Sequence, residues 1–138
     1  MIGESLEVSR KHATLLLLAS DQVLRDALQE VLKAQGYVVL PAGNLAGAVD
    51  WLSRCKPDLL IVRPYLSGIP GDEAALYIRT KCHGIRILMV SGFLDDERLH
   101  NRSSLRAIEV FPKPFTAAEF TKRVSDMLAA PAVNNLPV

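Results

Sequence analysis

The sequence has little of what usually announces a chemistry. Its 138 residues include two cysteines, Cys55 and Cys82, too few for a disulfide framework. That points to a reducing, cytoplasmic setting and to inert thiols rather than a redox pair. The three histidines, His12, His83 and His100, lack metal-ligand spacing and read as surface residues, so no metal and no cofactor is expected. Neither sign of charge prevails: 16 Lys+Arg against 15 Asp+Glu leave +1, which excludes a strong generic pull toward nucleic acid or a membrane surface. The longest apolar run, residues 13–19, is shorter than the ~20 residues that span a bilayer. Arg10 and Lys11 precede that run as in a secretory leader, but an amphipathic pattern follows without a small-residue cleavage site, so no leader is expected. Internal repeats and low-complexity tracts are missing. No nucleophile–base pair stands out, so an enzyme is not expected. No helix-turn-helix follows the last helical pattern, so neither is a DNA-binding output.

What is present is alternation. The length suits one domain with a real core, expected over residues 13–130 between a polar arm (1–12) and a Pro-containing tail (131–138). Residues 14–18 read as a first strand. Ser20 is placed to cap the following helix, with Asp21 in its first turn; Leu24, Ala27, Leu28, Val31 and Leu32 form the inward stripe and Gly36 closes the helix. A second strand is expected at 37–40. Asn44 then caps a helix with Leu45, Ala48, Val49 and Leu52 inward and Trp51 partly buried beside them.

The stretch 57–71, PDLLIVRPYLSGIPG, organises the rest. Leu59 to Val62 are apolar without alternation, as in a central strand covered on both faces; the strand is expected at 58–62. Arg63 follows at its carboxyl end, where open α/β sheets place their ligands. Gly71 opens a third helix running to Lys81, with Ala75 and Ile78 toward the sheet. A fourth strand is expected at 85–90, ending at Ser91-Gly92. The segment 94–105, bounded by Leu94 and Leu105, reads as a weak, highly charged helix. Its Arg98, Arg102 and Arg106 lie among Asp95, Asp96 and Glu97, as on a solvated face. A short fifth strand at 108–111 leads to Lys113-Pro114-Phe115. Thr116 to Glu119 form a capping box for a last helix with Phe120, Val124, Met127 and Leu128 on one face. Strand and helix alternate five times, which gives a parallel sheet with helices on both faces.

The order and spacing of Pro57-Asp58, Gly68, Gly71, Ser91 and Lys113-Pro114-Phe115 resemble the receiver domains of two-component response regulators, over about residues 13–130. The resemblance implies a flavodoxin-like (βα)5 doubly wound sheet of strand order 2-1-3-4-5. It also implies phosphoryl transfer from a histidine kinase to an aspartate after the third strand, with magnesium held by an acidic pair after the first. A Ser or Thr after the fourth strand and a Lys after the fifth contact the phosphoryl group. Matched residue by residue, the acceptor position is Arg63 and the acidic pair is Ala19 and Ser20. Ser91 and Lys113 match, and the aromatic position of the fifth strand falls at Val110, beside Phe111.

These departures are chemical. A guanidinium stays protonated and is no nucleophile. Magnesium is held by one or two carboxylates together with phosphate oxygens, and the matched positions have none. Asp21 lies one residue beyond the pair, and Asp58 lies at the opposite end of its strand. Two cations, Arg63 and Lys113, then call for counter-charge. In one reading Arg63 pairs with Asp21, Asp95 or Asp96; in the other, Arg63 and Lys113, with Ser20 and Ser91, form an anion site. The expectation is a degenerate receiver: a signalling module that acts by protein–protein contact without phosphorylation. It would bind a signalling protein or form a homodimer through 94–105 and the last helix, with no nucleic acid and no membrane. The rivals are an active phosphorelay receiver with a displaced acidic site, and a flavodoxin-like binder of a small anion or cofactor. The loop Ala19-Ser20-Asp21-Gln22 lacks the Gly and Thr that a flavin phosphate favours, which weighs against the last.

Overall fold

Leu15–Leu18 and Leu59–Val62 have no polar side to turn outward, and both runs lie inside a sheet with helices over each face. A computed structural model of the chain describes residues 13–91, 108–112 and 116–129, with the backbone alone at Ser91 and at 108–112. In chain order the elements are β1 (Thr14–Leu18), α1 (Gln22–Ala34), β2 (Val38–Ala42), α2 (Leu45–Leu52), β3 (Leu59–Val62), β4 (Tyr65–Leu66), β5 (Ile69–Pro70), α3 (Gly71–Lys81), β6 (Arg86–Ser91), β7 (Ile108–Pro112) and α4 (Ala117–Ala129). The main sheet is parallel throughout, in the order β2-β1-β3-β6-β7; its five strands taken alone run 2-1-3-4-5, as the resemblance implies. The chain leaves β1 for one edge and later returns to its other side with β3. The crevice between the carboxyl ends of β1 and β3 is therefore the topological switch point.

The pleat divides the core into two layers. Leu16, Leu18, Leu60, Val62, Ile87 and Met89 face Ala48 of α2 and Ala74, Ala75 and Ile78 of α3. Leu15, Leu17, Leu59, Ile61, Leu88 and Val90 face Leu28 and Leu32 of α1 and Phe120, Val124 and Met127 of α4. Each leucine buried in full contributes about 1.5–3 kcal/mol. Cys82 belongs to the first layer and Cys55 packs against it; both are free thiols. Trp51 also packs there and donates from its ring N–H to the Pro41 carbonyl (2.9 Å).

The helix ends follow their local sequence. Asn44 accepts from the Gly47 N–H, and Thr116 and Glu119 close a reciprocal capping box at 2.8 and 3.0 Å. Gly36, at φ 94°, ends α1 in the left-handed conformation, with the Tyr37 N–H returning to the Leu32 carbonyl.

Several expectations are corrected, and the fourth strand of the main sheet runs Arg86–Ser91 rather than 85–90. The second strand is shifted to Val38–Ala42 and includes Pro41, which an edge strand tolerates because its missing donor can face outward. Asp58 lies outside β3; its carboxylate instead accepts the Thr14 N–H at 2.8 Å, at the amino end of the sheet. Ala27 is exposed rather than inward, since Leu24, Leu28, Val31 and Leu32 already cover the sheet-facing arc. Residues 65–70 form a hairpin that sequence periodicity did not signal; its Ser67-Gly68 turn has Gly68 at φ 89°, a conformation that favours glycine. The segment 94–105 and both tails lie outside the described residues.

Candidate functional site

The residues that follow β1 and β3 meet at the switch point, and the main chain fixes most of them. Ala19 is fully buried, and its N–H continues the sheet by donating to the Ala42 carbonyl at 3.0 Å. Ser20 does not cap α1 as expected. Its hydroxyl donates to the Gly43 carbonyl (3.1 Å) and accepts the Ser67 N–H (2.9 Å), which ties together three loops: after β1, after β2, and the β4–β5 turn. Asp21 is the cap, in extended conformation, with one carboxylate oxygen accepting the Val23 and Leu24 N–H groups at 3.0 and 3.3 Å. A hydroxyl crossing to the neighbouring loops leaves the cap to the next residue that carries an oxygen.

Arg63 is half-buried. Its backbone N–H donates to the Leu18 carbonyl at 3.3 Å, and its guanidinium Nη1 donates to the Val90 carbonyl on β6 at 3.0 Å. No ion pair joins it to Asp21, whose carboxylate is engaged at the α1 cap. The expected Arg63–Asp21 pair is therefore replaced by a charge-assisted bond to backbone. A guanidinium has five N–H donors and can satisfy a carbonyl as readily as a carboxylate. The chain then turns tightly: the Gly71 N–H donates to the Pro64 carbonyl at 2.6 Å, and a Cβ at Gly71 would stand 1.8 Å from the Arg63 carbonyl oxygen. Only glycine fits that approach.

Sequence reasoning missed Arg25. From α1 its Nη1 reaches the Ala19 carbonyl at 2.6 Å and the Ser20 carbonyl at 3.4 Å. The available signal was its position four residues after Asp21, one helical turn from the loop it closes. Arg25 and Arg63 thus bring two guanidinium groups to the rim, each bonded through Nη1 to main-chain oxygens. The backbone of Ser91 ends β6 opposite Pro112, and Val110 pairs with Met89. Lys113, Asp95 and Asp96 lie outside the described residues, so the structure brings together Ala19, Ser20, Asp21 and Arg63 of the expected set. Among the described residues no cluster of three or more His, Cys, Asp or Glu side chains could hold a metal ion, and no helix is long and apolar enough to cross a membrane.

Among the described residues, the ionisable groups with displaced pKa values lie away from this rim. Burial pushes the Cys82 thiol up from its ordinary 9.0, with Lys56 opposing and Asp58 adding to the shift. Burial also raises Tyr37, opposed by a hydrogen bond with Ser125, and lowers Arg79.

Comparison with known proteins gives consistent similarity. The family model of the response regulator receiver domain matches residues 15–125. Sporulation initiation phosphotransferase F of Bacillus subtilis is 26% identical over 114 residues, covering 82% of this chain and 92% of that protein. Chemotaxis protein CheY of Halobacterium salinarum is 28% identical over 118 residues, covering 83% and 96%. Among solved structures, a putative response regulator from Chloroflexus aurantiacus superposes with a TM-score of 0.77 at 28% identity, covering 86% of this chain and 99% of that one.

Proposed function

The chain belongs to the response regulator receiver domain family, and from that premise we propose that it is a receiver without phosphoryl chemistry, a signalling module that works through protein–protein contact. The observation that carries this reading is Arg63. It stands where the family's acceptor aspartate is matched, and its guanidinium is bonded to the Val90 carbonyl. A cation at that place cannot attack phosphorus, and no carboxylate stands at Ala19 or Ser20.

Magnesium, which the family implies, does not fit the described residues. Ser20 is a neutral hydroxyl already bonded to Gly43 and Ser67, Asp21 caps a helix, and two guanidinium groups lie at the same rim. Divalent magnesium is held by one or two carboxylates with phosphate oxygens, and a nearby guanidinium repels it. On this reading the domain has no charge change to bias a two-state element. A partner then reads one fixed surface, and 94–105 with α4 remain the proposed face for a signalling protein or a second copy. The module is not an enzyme, and it needs neither cofactor, nucleic acid nor membrane.

The test is intact-mass spectrometry of the full chain after incubation with acetyl phosphate and magnesium. The expected result is an unchanged mass. A gain of one phosphoryl group that hydroxylamine or mild alkali removes, as from a carboxylate, would establish instead an active receiver with a displaced acidic site.

A further inference from the structure

We infer that Arg63 is a sheet-closing latch: its guanidinium gives the Val90 carbonyl the hydrogen bond that position 64, a proline, cannot donate, and so pins the carboxyl end of β6 to that of β3. In a parallel strand the N–H and C=O of one residue point to the same neighbour, and successive residues alternate. The Arg63 N–H donates to Leu18 on β1, so the backbone of Val62 faces β6. Val62 stands opposite Met89. The alternation therefore gives the Val62 carbonyl the Val90 N–H and turns the Val90 carbonyl back toward β3, at the nitrogen of residue 64.

Residue 64 is Pro64, which has no N–H. Val90 is wholly buried, where an unmet carbonyl is costly. Arg63 Nη1 fills the gap at 3.0 Å. The proline also holds the preceding residue extended, which keeps Arg63 alongside β6. Pro64 is in turn fixed by the loop, since its carbonyl accepts the Gly71 N–H at 2.6 Å. The latch therefore secures the strand end that carries Ser91, and it does so whether or not a phosphoryl group ever reaches the site.

A double-mutant cycle on the full chain tests this, with Arg63→Met and Pro64→Ala made singly and together and unfolded by urea. Arg63→Met alone should lower the folding equilibrium constant about tenfold, the worth of one charge-assisted hydrogen bond. In the Pro64→Ala background, where a backbone N–H is restored, the loss should shrink to about twofold or less. The packing cost of either change cancels in the cycle. Equal losses in both backgrounds would overturn the latch. If Pro64→Ala does not fold, scalar coupling across the hydrogen bond from Arg63 Nη1 to the Val90 carbonyl carbon decides in the unaltered chain. Its detection supports the latch, and its absence at low temperature overturns it.

Discussion

The two apolar layers and the carboxyl rim of the same sheet are built by different rules. In the layers, side chains find partners of their own kind through the pleat and the helical stripe: Leu16, Leu60 and Ile87 against Ala74 and Ile78, Leu17 and Ile61 against Leu28 and Phe120. At the rim, side chains satisfy backbone groups of other elements: Ser20 those of Gly43 and Ser67, Arg25 the Ala19 carbonyl, Arg63 the Val90 carbonyl. The layers resist change through volume and the rim through hydrogen bonds. Among the described residues, the rim side chains are thus held by the main chain.

Substitutions should separate the two regimes. Leu60→Ala, in the middle of the first layer, should cost the most, about 2–5 kcal/mol in urea unfolding; a cost below that of the rim substitutions would erase the distinction. Gly71→Ala comes next, because its Cβ meets the Arg63 carbonyl oxygen, which is backbone and cannot swing aside. About 1–3 kcal/mol is expected, together with chemical-shift changes at residues 63 and 64 that Leu60→Ala does not share. Ser20→Ala should cost about 0.5–1.5 kcal/mol, and the Ser67 amide should exchange faster with solvent. Unchanged exchange at Ser67 would show that the three loops are not tied through Ser20.

The smallest expected effect is in the layers and concerns pH. The Cys82 thiol is raised above its ordinary 9.0 chiefly by burial. As pH climbs past about 9 the unfolded chain releases this proton first, so the folded state holds more protons and stability falls; below that pH the group contributes no slope. Cys82→Ala should make the alkaline loss shallower, as read from urea midpoints between pH 8 and 10. An identical slope in the variant would assign the loss to other groups, Tyr37 among them.

The same contrast explains what the sequence revealed. The layers were legible because periodicity records which residues of one element share a face. Helix α3 spans Gly71–Lys81 as expected, β1 spans Thr14–Leu18, and the Asn44 cap, the Thr116–Glu119 box and the Gly36 stop follow from neighbours within one turn. The rim was less legible because its bonds join residues far apart in the chain: Arg63 reaches Val90 across 27 positions and Ser67 reaches Ser20 across 47. Sequence placed Ala19, Ser20, Asp21 and Arg63 at one site but misassigned what Ser20 holds; of the partners it offered Arg63, the Asp21 pair is not formed, and it passed over Arg25. A signal for Arg63 was nonetheless present. Pro64 announces a missing donor at the end of a central strand, and a long cationic side chain immediately precedes it.

The proposed loss of phosphoryl chemistry rests on three positions together, Ala19, Ser20 and Arg63. Arg63→Asp supplies a nucleophile but no magnesium ligands beside it, so electrostatic stabilisation of the transferring group stays deficient. The most direct measurement is phosphorylation of Arg63→Asp by acetyl phosphate with magnesium, followed by intact mass beside Ala19→Asp/Ser20→Asp/Arg63→Asp. The account predicts no stable phosphoryl adduct on the single variant. Stable phosphorylation of that variant, at the rate of an ordinary receiver assayed in parallel, would contradict it.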